Sequence, residues 1–437
     1  MKMTTKAVTL IALLCSLLPW SASSHTQLPG VQQQQSLLIQ DGNIHTGDGE
    51  VLKAYDLLIE GGMITALEPQ IPAPKGAKVI NANGQSIYPT LIALDTTLGL
   101  LEIDAVRASD DIAEVGSINP NVTGYVAFNA DSELNTTTRS NGIGYAQVVP
   151  QRGLLSGGSS LMQLDGWDNL DALVIDRVGI HLRWPTIKIR DQARSSQSPE
   201  EQREKYQEKL AQLQTAFDQA RRYFKSFRVD QVQAVDQRWQ AMTQILNGAQ
   251  PLFIHADDAR DIAQAIAFAQ REKVRMVLVG GAEADQVAVQ LLRFNIPVIY
   301  THSVGQPFKE DASYDSAYGG PARLQSLGIK YAIAYHNEGN WDVRNLPFAA
   351  GQAVAYGLTP EQALQAVTLS AAEILGVDDK LGSLRPGKQA SLIIAPGDIL
   401  DYSGHPITTM LIDGREVDLN NRQTQLYNKY KQRPATH

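Results

Sequence analysis

Short apolar runs broken by polar turns dominate both ends of the chain, and they suit the two-residue period of β-strands. Near the amino-terminal end these runs cover residues 37–39, 57–59 and 79–80, and the Asp-Gly and Gly-Gly pairs between them favour hairpin turns. Residues 391–394 and 409–412 repeat the pattern near the other end. The pattern predicts two β-rich pieces separated by the middle of the chain.

The middle of the chain alternates apolar runs of strand length with longer helical patterns. The strand-like runs include residues 144–149, 252–255, 276–279 and 297–300. Such alternation favours parallel strands joined by crossover helices. The segment 91–380 is long enough for a (β/α)8 barrel, which usually takes about 250 residues. The sequence therefore predicts an α/β fold with a TIM-like barrel at its centre.

One predicted helix has clear signals at both ends. Thr359 can cap its start, Pro360 suits the first turn, and Gln362 completes a capping box. Gly376 is the expected stop, because glycine readily adopts the left-handed conformation that ends helices. The signals predict one helix between Thr359 and Gly376.

Residues 195–250 predict a helical excursion from the barrel. Ser198, Pro199, Glu200 and Glu201 open a polar helix. Its apolar residues keep a three-four spacing, and they are Tyr206, Leu210, Leu213, Phe217 and Phe224. Such a stripe either packs on the barrel or forms a docking face for a partner, and the sequence leaves both interpretations open.

Composition and charge narrow the class of protein. Of the 437 residues, 43% are hydrophobic and 19% are charged, as in ordinary soluble globular proteins. The formal net charge of -8 and the lack of basic runs argue against nucleic acid as a partner.

The amino terminus resembles an export signal. Lys2 and Lys6 precede an apolar run at 7–20, and the small residues at 22–24 suit cleavage before His25. The run is shorter than the roughly 18 residues that a membrane-spanning helix needs. The sequence predicts a signal peptide at 1–24 and an exported, periplasmic protein without a membrane segment after cleavage. The mature chain then contains no cysteine.

Residues 87–100 carry the most informative motif, Ile-Tyr-Pro-Thr-Leu-Ile-Ala-Leu-Asp-Thr-Thr-Leu-Gly-Leu. It resembles the "hydrophobic-Pro-Gly-Leu-Ile-Asp-x-His-x-His-Leu-Gly" signature of the amidohydrolase superfamily. The likeness to the imidazolonepropionase-like branch of that superfamily lies in residues 344–347, 351 and 355–361. Asp95 and Thr97 stand where that signature has its two metal-binding histidines. Residues 381–390 resemble the family segment "Gly-x-Leu-x-Pro-Gly-Lys-x-Ala-Asp" that leads into the closing strands.

The resemblance implies a barrel beside a composite β-sandwich. The sandwich is expected from residues 25–90 together with 381–437, and the barrel from 91–380 with the excursion at 195–250. The family activity is hydrolysis of carbon–nitrogen bonds, so the implied ligand is a small cyclic amide or peptide-like molecule.

The resemblance also implies where metal ligands should lie. His255 matches the fifth-strand histidine, but Gly280 stands at the sixth-strand histidine. The eighth-strand aspartate corresponds to His336 or Asn337, with Glu338 close by. The nearest candidate for a fourth-strand lysine is Lys188, although its context does not match the family.

Two interpretations of function follow, besides docking. With three family histidines replaced, by Asp95, Thr97 and Gly280, the two-metal site is expected to be degenerate, and the protein would be a pseudoenzyme that binds a ligand or assists a metal-competent relative. Alternatively, Asp95, His255 and His336 (or His302) form a rebuilt site. Two imidazoles and a carboxylate suit a single zinc or iron ion.

The run Gly153-Leu154-Leu155-Ser156-Gly157-Gly158-Ser159-Ser160 is rich in small residues. Its backbone amides could hold an anion, but it lacks the Gly-Lys-Ser/Thr of a phosphate loop. We therefore expect a flexible loop of the barrel at this position.

Overall fold

The computed structural model describes residues 28–103, 105–189, 197–229, 234–335, 340–403 and 406–433. The predicted signal peptide at 1–24 and the candidate ligand His336 lie outside these residues. Within the described parts of the chain, no helix is long and apolar enough to cross a membrane.

The first sheet joins the two ends of the chain. Its eight strands are β1 (Leu37–His45), β2 (Val51–Glu60), β3 (Met63–Glu68), β4 (Lys78–Asn81), β5 (Ser86–Pro89), β14 (Leu392–Ala395), β15 (Thr409–Ile412) and β16 (Arg415–Glu416). Strand β5 pairs with both β1 and β14, so it connects the amino-terminal strands to the carboxyl-terminal ones.

Strand β1 gives this sheet its sandwich-like shape. Its first half pairs with β4 and its second half with β5, and the register shifts between the halves. Asp41 has a φ of 55° at this shift. Apolar side chains from the amino-terminal and carboxyl-terminal strands of this sheet meet in one core, which includes Ile39, Ile87 and Leu392. The expected sandwich built from both chain ends is confirmed in this form.

The second sheet forms the barrel and runs in sequence order. Its strands are β6 (Leu91–Thr96), β7 (Ile143–Val148), β8 (Leu155–Gln163), β9 (Leu173–Arg183), β10 (Leu252–Ala256), β11 (Met276–Gly280), β12 (Val298–Tyr300) and β13 (Tyr331–Ile333). The TIM-like barrel predicted from the sequence is confirmed. All neighbours are parallel except β8, which is antiparallel to β7 and to β9.

Strand β8 corrects one expectation from the sequence. The small residues of 153–160 were expected to form a flexible loop, but Leu155–Gln163 is a fully buried strand. Only the short link 149–154 separates it from β7. Because parallel pairing requires a long crossover, such a link permits only antiparallel pairing.

Ten helices surround the two sheets in the described residues. They are α1 (Glu133–Arg139), α2 (Pro199–Arg228), α3 (Gln237–Leu246), α4 (Ala259–Glu272), α5 (Ala288–Arg293), α6 (Gly320–Ser326), α7 (Leu346–Ala355), α8 (Pro360–Ala366), α9 (Leu369–Leu375) and α10 (Arg422–Lys431). Short 3-10 turns occur at Arg107–Ser109, Gly124–Ala127, Ala284–Val287 and Asn340–Asn345.

The helix predicted after Thr359 is interrupted. The capping box of Thr359 and Gln362 opens α8 as expected. Gly376 ends α9 with a φ of 72°, also as expected. Between the two helices Thr368 leaves the helical conformation, and its hydroxyl donates to the Leu364 carbonyl oxygen. One predicted helix is therefore two.

Helix α2 packs its apolar stripe on the barrel. Ser198 and Glu201 form a capping box at its start. Leu213 and Phe217 belong to the main core, and the ring of Phe217 meets that of Phe268 on α4 at a centroid distance of 4.9 Å. A docking face on α2 would have to use other residues.

Candidate metal centre

Three metal-binding side chains converge at the carboxyl ends of barrel strands, where active sites of such barrels lie. Asp95 lies near the end of β6, His181 near the end of β9, and His255 in β10. One ligand atom of each lies within 4.8 Å of those of the other two. Asp95 is 4% exposed and His181 is fully buried, whereas the His255 side chain is 12% exposed.

A bulge in β6 sets the direction of Asp95. The pairing of β6 with β7 shifts between Ala93 and Thr96, and Asp95 has a φ of 52°. Aspartate tolerates this left-handed conformation better than most residues do. Its amide N–H donates to Oε1 of Gln147 over 3.2 Å. The simple alternation expected for Asp95 and Thr97 is therefore interrupted, and the half-buried Thr97 follows the end of the strand.

His181 and His255 contact each other directly. Nδ1 of His181 and Nε2 of His255 are 2.9 Å apart, so one ring nitrogen donates and the other accepts. The ring of His181 stacks on Phe253 at a centroid distance of 4.6 Å. Nε2 of Gln147 lies 3.5 Å from Nε2 of His181. These neighbours hold the His181 ring in one orientation.

Burial keeps His181 neutral. Removal from water lowers the pKa of His181 well below its ordinary value, and the positive charge of Arg183 lowers it further. A neutral imidazole has a lone pair available for a metal ion. His181 therefore has the protonation state that a metal ligand needs.

The donor set fits a single metal ion. Nδ1 of His255 lies 3.9 Å from Oδ2 of Asp95, too far for a hydrogen bond between them. Two imidazole nitrogens and a carboxylate are the ligand types that zinc and iron take in proteins. The arrangement can hold one divalent cation through Asp95, His181 and His255.

His302 belongs to a second pair at the barrel mouth. Its Nε2 lies 2.7 Å from Oδ1 of Asp257, and its side chain is 26% exposed. Between their strands lies Gly280, where an added Cβ would lie only 2.4 Å from that same oxygen. The sixth-strand position is thus closed to a side chain, and the missing Cβ leaves room for Asp257 to meet His302.

The structure brings together two of the three candidate ligands from the sequence, Asp95 and His255. His336, with Asn337 and Glu338, lies outside the described residues. Lys188 is exposed, and its Nζ lies 5.1 Å from the ring centroid of Phe308, so it is not part of the cluster.

Sequence reasoning missed His181. The available signal was a histidine inside the apolar run 178–182, two residues before the strand ends at Arg183. The surrounding residues of His181 resemble no family motif quoted above, so nothing local marked it.

Comparisons with known proteins agree with the fold. A model of the amidohydrolase family matches residues 324–418. Amidohydrolase tasK of Hapsidospora irregularis is 32% identical over 152 residues, and imidazolonepropionase of Geobacillus thermodenitrificans is 35% identical over 104 residues. A crystal structure of an amidohydrolase from Thermotoga maritima superposes with a TM-score of 0.78 at 22% identity, covering 87% of this chain and 99% of that one. Over residues 324–418 the chain is similar to the amidohydrolase family, and the likeness to the solved structure shows that it shares the amidohydrolase fold.

The sequence matches to curated amidohydrolases are local. They cover 32% and 22% of this chain, and 14% and 24% of tasK and the imidazolonepropionase. The chain thus spans less than a quarter of the length of these relatives. The similarity to amidohydrolases therefore concerns the fold, whereas the cluster of Asp95, His181 and His255 is a feature of this chain's own structure.

Proposed function

We propose that the protein is an exported hydrolase of carbon–nitrogen bonds that uses one divalent metal ion instead of two. The observation that carries this proposal is the convergence of Asp95, His181 and His255 within 4.8 Å. The family name and the names of the relatives support hydrolysis as the reaction class. A small cyclic amide or peptide-like molecule is the proposed substrate class.

A second metal ion lacks ligands at two of the positions where the family places them. Thr97 offers a neutral hydroxyl, which is a poor ligand for zinc, and Gly280 offers no side chain. Gly280 also has Asp257 against the face where a side chain would start. These features support a single ion.

Residues around the candidate metal centre would orient the groups that take part in the reaction. Asp95, His181 and His255 would hold the divalent ion, which would supply Lewis-acid chemistry to a water molecule and to the scissile carbonyl. Nε2 of His302 lies 2.7 Å from Oδ1 of Asp257, so Asp257 fixes the orientation of the His302 ring at the barrel mouth. Phe253 and Gln147 keep the His181 ring in place.

Export rests on the sequence of the first 24 residues, with its lysines, apolar run and small residues. The proposed location of the exported protein is the periplasm. Mass spectrometry of protein recovered from the periplasmic fraction should give a chain that starts at His25. Recovery of the full-length chain from the cytosol would contradict export.

The second candidate is a non-catalytic member that binds a ligand or assists a metal-competent amidohydrolase. The replacement of two family histidines by Thr97 and Gly280 favours it. Docking through residues 195–250 is a further proposal. Phe227, 48% exposed, and Val229, 60% exposed, are the large apolar side chains it has available on α2 and at its carboxyl end.

Elemental analysis of protein purified without chelator decides between the first two. We expect about one zinc or iron per chain. His181→Asn and His255→Asn should each lose it, whereas His302→Asn should keep it, because His302 is outside the cluster. Metal-free wild-type protein would favour the non-catalytic candidate, and two ions per chain would contradict the proposed single site.

A further inference from the structure

Arg183 lies one layer above the candidate metal centre, toward the mouth of the barrel. It is the last residue of β9 and follows His181 by two positions. Side chains two apart on a strand point to the same side. Arg183 is half-buried, and its positive charge interacts electrostatically with the carboxylate of Asp95. Its guanidinium therefore stands at the opening through which a ligand would approach His181 and Asp95.

The guanidinium uses only part of its hydrogen-bonding capacity. Nε donates to the backbone carbonyl oxygen of Gln151, and Nη2 donates to Oε1 of the same residue. A guanidinium carries five N–H groups, so three remain without an acceptor among the described residues. The remaining N–H groups belong to Nη1 and Nη2, the end of the side chain.

Arg183 also has no ion-pair partner among the described residues. Within the part of the chain that the structure describes, no carboxylate oxygen lies within 4.0 Å of its guanidinium. The buried Arg139 is different, because its Nη1 lies 2.7 Å from Oδ1 of Asp165. A half-buried cation without a contacting anion is costly, since its lost hydration is not replaced. An anion from a ligand would replace it.

A metal ion at the candidate centre would increase the need for an anion beside Arg183. The negative charge of Asp95 attracts the positive charge of Arg183. A cation held by Asp95 would take up that charge and leave Arg183 without compensation. An anionic ligand that meets Arg183 would then balance both cations.

We propose that Arg183 binds a carboxylate of the substrate through Nη1 and Nη2, beside the metal centre. The substrate class is thereby narrowed to amides that carry a carboxylate near the scissile bond, such as N-acylated amino acids. The inference rests on the proposed function for the reaction, but carboxylate binding is measurable without turnover. If Arg183 only fixed the loop at Gln151, ligand charge would not matter.

The test compares two probes of nearly equal shape, N-acetylglycine and its neutral amide N-acetylglycinamide. Isothermal titration calorimetry uses the mature, metal-containing protein. We expect the carboxylate to bind about tenfold to a hundredfold more tightly than the amide, as a charge-assisted bidentate contact provides. Arg183→Gln should abolish this preference. Arg152→Gln is the matched control, because Arg152 is 63% exposed and pairs with Asp110.

Each outcome decides the matter. Equal binding of the two probes, no binding of N-acetylglycine at about 10 mM, or a preference that persists in Arg183→Gln would overturn the proposal. If Arg183→Gln does not fold, the comparison of probes on the wild-type protein still decides. Elemental analysis of the same samples separates the two proposals: metal-free protein that still prefers the carboxylate defeats the metal centre but not Arg183.

Discussion

Gly280→Ala should test whether the sixth-strand position is closed to side chains. Gly280 has a φ of 98°, and an added Cβ would lie 2.4 Å from Oδ1 of Asp257 and 3.1 Å from the Ala256 carbonyl oxygen. The backbone conformation alone should cost about 1–2 kcal/mol for an L-residue. Asp257 must also move, which disrupts its 2.7 Å contact with His302 and should cost about 1–3 kcal/mol more. We expect a loss of about 2–5 kcal/mol in the free energy of unfolding.

Gly248→Ala is the matched control for this experiment. Gly248 has a φ of 80°, and nothing lies within 4 Å of its added Cβ. It should therefore lose only the backbone part, about 1–2 kcal/mol. Urea unfolding of both variants measures the difference, provided that the denaturant slope stays that of the wild type.

A double variant isolates the contact with Asp257. In an Asp257→Ala background the oxygen is absent, so Gly280→Ala should cost only the backbone part and the coupling should be about 1–3 kcal/mol. Equal losses for Gly280→Ala and Gly248→Ala would refute the steric reasoning. Gly280→His should likewise fail to create a metal ligand, since its Cβ meets the same oxygen.

Three further predictions concern stability and pH. Asp165→Ala should cost about 3–5 kcal/mol, because it removes the carboxylate that pairs with the buried Arg139. Glu416→Gln in the exposed pair with Lys78 should cost under about 1 kcal/mol, and equal losses in thermal unfolding would contradict this ranking. Hydrogen bonds from Arg260 lower the pKa of Asp258 to about 2, so its stabilisation is present above pH of about 4 and is lost as the pH falls to about 2. Asp258→Asn, which keeps the helix cap, should flatten the dependence of stability on pH in that window. Phe217→Ala should lower the free energy of unfolding by about 3–5 kcal/mol, because Phe217 is fully buried. Phe227→Ala should lower it far less, because Phe227 is 48% exposed. Calorimetry that ranks the two variants the other way would contradict the packing of α2.

Local sequence patterns predicted the architecture well. The alternation of strand and helix patterns indicated the barrel, and the motifs at 87–100 and 381–390 placed its flanking strands. Asp95 and His255 were found because each lies inside a contiguous motif. A contiguous motif predicts a site residue because the strand, its end and the functional side chain are neighbours in the chain.

Several features depended on the tertiary structure. Residues 155–163 form the antiparallel strand β8 instead of the expected loop because the link at 149–154 is short and the segment is buried between β7 and β9. The helix predicted after Thr359 breaks at Thr368, where a hydroxyl binds a backbone carbonyl. Neither outcome is visible in apolar periodicity, because both arise from what surrounds the segment.

By itself the sequence determined the fold class and two members of the metal cluster, since motif residues are adjacent along the chain. Only the tertiary structure added His181, and with it the N–H groups of Arg183 that have no acceptor in the described part of the chain. Residues 95, 181 and 255 meet because parallel strands end on one rim of the barrel, and the bulge at Asp95 turns a carboxylate into that space. Strand register and a local bulge depend on packing across the whole sheet, which no single stretch of sequence encodes.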